Sequence, residues 1–141
     1  MSDDHWLWEG DNGRVEVRRL GSQFVTVDLV GRADDKSTPT IDYALQTVMP
    51  IEGVEIYWDA GRLNTFSNSF RQTATEHILK HRKTVGVVAV YSSSALIAMA
   101  VSATNLVLGG IVDSYRDADA FFTARRQAAL RQGVDVGQLA S

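Results

Sequence analysis

The stretch Leu63 to Gln72, LNTFSNSFRQ, sets three small polar side chains, Ser67, Asn68 and Ser69, between two phenylalanines. Hydroxyls there can cap a helix, meet a partner or accept a phosphoryl group. A capping Ser67 is worth about 0.5–2 kcal/mol, and the free amides of a helix start also attract anions. His77 and His81, in EHILKH, are four residues apart, so one helix face presents two imidazoles. A closed metal site needs further ligands and HExxH is not formed, so no metal is expected. The serines form no GxSxG elbow, and His5, His77 and His81 lie in the N-terminus or on one helix, which leaves no base beside a nucleophile. The carboxylate pairs Asp34-Asp35 and Asp117/Asp119 fall in turn and cap contexts. The glycines spell neither GxGxxG nor the phosphate-cradling GxxxxGKS or GxxxxGKT. No acid, base and oxyanion donor assemble, so neither a catalytic residue nor a cofactor is expected.

Alternation predicts the elements that position these groups. Val15 and Val17 in RVEVRRLG, and Phe24, Val25, Val27, Leu29 and Val30 in SQFVTVDLVGR, read as two strands joined at Gly21-Ser22. Thr38 before Pro39 fits an N-cap for a helix from Pro39 to Val48 that buries Ile41, Ala44, Leu45 and Val48. A third strand spans Val54 to Trp58, with Asp59 at its C-terminal end. A helix follows, with Phe66, Phe70, Ala74 and Ile78 inward. TVGVVAVYS reads as a central parallel strand, SALIAMAVSATNLVLGG as an uncharged helix ended by glycines, IVDSY as a short strand and DADAFFTARRQAALRQG as a helix capped by Asp117. Residues 1–14 are read as an N-terminal segment, 15–131 as one domain and 132–141 as a flexible C-terminal tail. Strands alternating with helices imply a mainly parallel sheet, whose working surface lies beyond the strand C-termini. Asp34, Asp59, Thr65, Ser67 to Ser69 and Ser92 to Ser94 fall there.

Composition narrows the function classes. A chain of 141 residues carries 14 basic and 17 acidic groups, a net charge of -3, with no basic run longer than a pair. The electrostatic footprint of a nucleic-acid binder is missing. Without cysteine there is no disulfide or thiolate chemistry, and the acidic, aromatic start is unlike a signal peptide. A cytoplasmic location is expected. The uncharged run from Thr84 to Val112 is long enough to span a bilayer, but serines and Asn105 interrupt it, so no membrane insertion is expected. A helix apolar all round is buried on more than one side. Ser94, Ala98, Val101, Ser102 and Asn105 are the expected outward stripe of this one, and either a partner or the N-terminal HWLWE segment would cover it.

VTVDLVGRADDKSTPTIDYALQ, VEIYWDAGRLNTFSNSFRQ and TVGVVAVYSSSALIAMAVSATNLVLGGIVDSYRDADAFFTA together resemble the sulfate transporter and anti-sigma factor antagonist (STAS) domain, from Val15 to Arg126. The carriers are the strand-glycine-acid opening GRADDKSTP, the strand-aspartate-turn segment IYWDAGRLNTF, and the closing LVLGGIVDSYRDADAFF. The resemblance implies an α/β single domain, a mostly parallel sheet of four to five strands with about four helices mainly on one face. Phosphorylatable members carry Asp-Ser-Ser-Gly at the helix start. Here Ser67 stands at the aspartate, Asn68 at the acceptor serine, Ser69 at the second serine and Phe70 at the glycine. Asparagine has no hydroxyl to phosphorylate, so any phosphate at this helix start falls on Ser67 or Ser69.

The function so implied is non-catalytic: a regulatory protein–protein interaction module in bacterial signalling, similar to anti-sigma factor antagonists. Its partner would be an anti-sigma factor or related kinase, or a second copy of itself. The expected surface combines Asp34, Asp59, Thr65, Phe66, Ser67, Asn68 and Ser69 with Ala98, Val101, Ser102 and Asn105. The alternative is an accessory domain for a small ligand or lipid transport.

Overall fold

The computed structural model describes residues 4–139. β2 (Gly13–Gly21) and β3 (Phe24–Ala33) form the expected hairpin, with Val15 opposite Leu29 and Val17 opposite Val27. β1 (His5–Glu9) pairs antiparallel with β2, so HWLWE enters the sheet. The sheet thus has six strands among the described residues, one more than the upper expectation, in the order β1-β2-β3-β4-β5-β6. β4 (Glu55–Phe66), β5 (Val87–Ser92) and β6 (Val112–Tyr115) continue it in parallel from β3.

β4 does not stop at Trp58. Polar Asp59 and Gly61 read as a strand end, yet β3 is long enough to pair onward, Gly31 with Leu63, Arg32 with Thr65 and Ala33 with Phe66. Cross-strand pairing overrides local propensity here. Gly31 makes the extension possible. It sits at φ 69°, and a Cβ there would run into the Asn12 carbonyl, so only glycine fits this bend. Asp59 is therefore mid-strand and Phe66 closes β4, correcting the expected places of both.

α1 (Thr38–Val48), α2 (Asn68–Lys80) and α3 (Ala95–Val107) cover one face. Ser37, not Thr38, is the residue before α1, and neither hydroxyl caps it: both bond to the Asp34 carbonyl, at 2.8 Å and 3.2 Å. Val27, Ile56, Trp58 and Val88 of the sheet meet Ile41, Leu45, Phe70 and Ile97 in the main core. Each such fully buried side chain contributes roughly 1.5–3 kcal/mol relative to exposure. α4 (Ala118–Arg131) lies alone on the opposite face, capped as expected by Asp117, and packs Phe121 onto Phe24, Tyr57 and Ala89.

The segment read as a flexible tail, 132–141, packs through residue 139. Val134 is buried in the α4 core, and Arg18 donates to the Gln138 carbonyl at 2.8 Å within a 3-10 turn, Val136–Leu139. Residues 140–141 lie outside the described residues. No helix among the described residues is long and apolar enough to cross a membrane: α3, the core of the uncharged run, spans only 13 residues.

Candidate functional site

The end of β3 and the start of α2 are joined by the Ser67 N–H, which donates to the Ala33 carbonyl at 2.8 Å. Ser67 is extended (φ -82°, ψ 162°), and its Oγ accepts the Phe70 N–H at 3.2 Å, the expected cap. Ser69 Oγ donates to Asp35 Oδ1 at 2.6 Å and lies 3.1 Å from both Thr38 Oγ1 and Ser67 Oγ. The Ser69 hydroxyl, then the Ser67 hydroxyl, stabilise the Asp35 carboxylate and hold it below the ordinary carboxylate value. Asp34 builds the turn before α1, its Oδ1 accepting the Lys36 N–H at 3.0 Å. Thr65 and Asn68 are exposed.

This arrangement separates the two serines. Ser67 is held by its capping role and gives Asp35 the lesser of the two hydroxyl contacts, whereas Ser69 donates to that carboxylate at 2.6 Å and caps nothing, the geometry that draws off a hydroxyl proton during attack on a phosphoryl donor. Asp35 and Thr38 escape sequence reasoning because they lie far from Ser69 along the chain. The packing of α1 against α2 sets them beside it.

Asp59 does not join this cluster. Its carboxylate accepts the Gly61 N–H at 3.0 Å and acts on the charges of the α4 face, Asp28 and Arg125. Burial first, and the neighbouring Asp59 second, push the Asp28 carboxyl up, while Arg125 and Arg18 pull it down. The folded chain therefore holds the Asp28 proton more tightly than the unfolded one. Its contribution to stability is fully present below the unfolded value and is lost as pH rises through the folded one. Asp28→Asn should remove that part of the pH dependence, a flattening that urea titrations across the acid range would read.

His77 and His81 diverge. His77 Nε2 lies 2.7 Å from Asp42 Oδ1 of α1, while burial lowers the His81 value.

The uncharged helix turns a different stripe outward from the one expected. Leu96 is 72% exposed, Met99 70%, Leu106 84% and Val107 65%, and Ser102 is exposed beside them. Val101 instead packs on the main core, and Asn105 brackets the Val112 backbone, Nδ2 to the carbonyl at 3.1 Å and N–H to Oδ1 at 2.9 Å. Ala98 is half-buried, and Ser94 caps the helix by accepting the Ile97 N–H at 3.4 Å. Asn105 misled the reading: a polar residue near a helix end looks solvated, but this one pins the start of β6. HWLWE does not cover the stripe. β1 stands at one edge of the sheet, whereas α3 packs on β4, β5 and β6 towards the other. A groove of about 510 Å³, lined by Met99, Ser102 and Leu106 of α3 and by Ser114 and Tyr115 of the edge strand β6, runs beside the exposed stripe.

The sequence matches no known family profile and no curated protein. Among solved structures, the fold is similar to that of the anti-sigma factor antagonist SpoIIAA in its unphosphorylated form, with a TM-score of 0.60 and 14% identity over 80% of this chain and 97% of that one. It is also similar to an uncharacterized protein of the DUF3478 family with a SpoIIAA-like fold from Shewanella loihica PV-4, with a TM-score of 0.53 and 18% identity over 88% of this chain and 97% of that one.

Proposed function

With a SpoIIAA-like fold as the premise, we propose that this chain is a non-catalytic regulatory module that binds another protein in a bacterial signalling pathway. One observation carries the reading: Leu96, Met99, Leu106 and Val107 are each at least 65% exposed on a single helix. Contiguous large apolar side chains on a surface mark sites of association, and an apolar centre with a polar rim is the make-up of a protein interface. Ser93, just before α3, donates to the Gly61 carbonyl of β4 at 2.6 Å, which ties the start of α3 to the strand that leads into α2. The surface accordingly combines the α3 stripe with Asp34, Asp35, Thr65, Asn68 and Ser69. A regulatory protein such as an anti-sigma factor or related kinase is its partner. Ser69 is the position for regulation by phosphate, since a phosphoryl group there adds about -1.5 to -2 charge beside the Asp35 carboxylate and repels it.

Affinity purification of the full chain from its native host, followed by mass spectrometry, tests this. The expected result is one stoichiometric regulatory protein, with any helix-start phosphate on Ser69. Recovery of membrane transporter subunits instead would favour an accessory role in transport, and light scattering showing a dimer without a heterologous partner would make the second copy the occupant.

A further inference from the structure

β6 is the last strand of the sheet, with none beyond it among the described residues. A sheet edge presents unpaired N–H and carbonyl groups, a template on which another chain can add a strand. At β6 one residue's groups are already taken. Asn105 Nδ2 donates to the Val112 carbonyl at 3.1 Å, and Asn105 Oδ1 accepts the Val112 N–H at 2.9 Å. A residue of an antiparallel neighbour would exchange the same two bonds with Val112. The turn between α3 and β6 holds the amide there. Gly109 and Gly110 take positive φ, and the Gly110 N–H donates to the Asn105 carbonyl at 2.9 Å. Backbone groups alternate sides along a strand, so Ser114 turns its N–H and carbonyl the same way as Val112. Ser114 is exposed, and outside the β5–β6 ladder nothing among the described residues bonds to its backbone.

We infer that Asn105 is a plug that closes the β6 edge against a second copy of the chain. With the plug removed, two β6 strands pair antiparallel about Ser114, setting Val112 opposite Arg116 and Asp113 opposite Tyr115. A register two residues away would set Asp113 against Asp113, and like charges directly opposite are destabilising. The groove of about 510 Å³ between α3 and β6, lined by Ser114 and Tyr115, gives the incoming strand room. With Asn105 in place, Ser114 alone keeps an open pair between the plug and the end of the strand, too little to hold a strand. The groove is therefore left to side chains. This bears on the proposed partner surface, where contact is made through the α3 stripe and not by an added strand, but the plug does not rest on the partner's identity.

Sedimentation equilibrium of the full chain and of Asn105→Ala over a range of concentrations is the test. Asn105→Ala should move to twice the monomer mass as concentration rises, at concentrations where the unaltered chain stays monomeric. Adding Ser114→Pro to Asn105→Ala should restore the monomer, because proline removes the outward N–H and is tolerated on an edge strand. Asn105→Asp keeps the acceptor for the Val112 N–H and loses the donor. It should also dimerise, at higher concentration, and it serves if the alanine variant does not fold. The inference is overturned if the folded Asn105 variants stay monomeric at millimolar concentration, or if their dimer survives Ser114→Pro. An unaltered chain that dimerises and is made monomeric by Ser114→Pro would overturn it as well. Partner capture from the host is a separate readout, so the plug and the functional reading fail independently.

Discussion

Replacing Met99 and Leu106 together by glutamate should abolish partner binding and leave thermal melting unchanged. Both side chains are at least 70% exposed in the isolated chain, and a charge added to free surface usually shifts stability by less than about 0.5 kcal/mol. The same charge buried unpaired at a contact costs about 3–5 kcal/mol, which is at least a hundredfold in affinity. Val101→Glu is the informative contrast. Val101 packs on the main core, so that change should lower the melting temperature in the absence of any partner. Surface plasmon resonance with the captured partner, run beside differential scanning calorimetry, separates the two effects. Equal loss of melting temperature in both variants would mean that the outward stripe is internal packing.

Phe121→Ala should cost about 3–5 kcal/mol, the range for truncating a buried aromatic, and lower the melting temperature by roughly 10–20 °C. Phe121 is fully buried, and its ring lies 6.2 Å from that of Tyr57, 5.7 Å from those of Tyr91 and Tyr115, and 5.4 Å from that of Phe122. The Arg125 guanidinium sits 5.7 Å from the same ring and 5.0 Å from that of Phe122. α4 is the only α-helix among the described residues on its face, so no neighbouring α-helix can close over the hole. Phe122→Ala, at a ring 38% exposed, should cost about 1 kcal/mol, the centre of the mutational range. Urea denaturation of both variants gives the comparison. Partner binding by folded Phe121→Ala should survive, because α3 packs on the opposite face of the sheet.

Alternation of Val15, Val17, Val25 and Val27 made the hairpin legible. The caps Ser67 and Asp117, and the glycines after α3, marked helix ends because free amides and carbonyls demand partners there, whereas Ser94, read as part of an outward stripe, is a cap. Gly109 and Gly110 both take positive φ, 80° and 82°. The long β4 was hidden because its second half is held by β3 rather than by its own propensities. HWLWE was hidden too: an edge strand this short shows alternation only weakly, and the Trp6–Val17 pairing that fixes it is tertiary. At the candidate site, Ser67 and Ser69 could be read from the chain, while Asp35 and Thr38 required the fold to bring α1 against α2. The association surface was legible as an uncharged helix, but its orientation was not. Helical period alone gives a stripe; the Asn105 bonds to Val112 decide which way it turns.

The claim that α3 and the start of α2 form the partner surface is tested most directly by hydrogen–deuterium exchange. The full chain would be measured alone and in complex with the regulatory protein captured from its host. The predicted result is slowed amide exchange along Ala95–Val107 and in the first turn of Asn68–Lys80, with Ala118–Arg131 and His5–Glu9 unchanged. Protection centred on α4 or β1, with α3 exchanging as it does in the free chain, would contradict it.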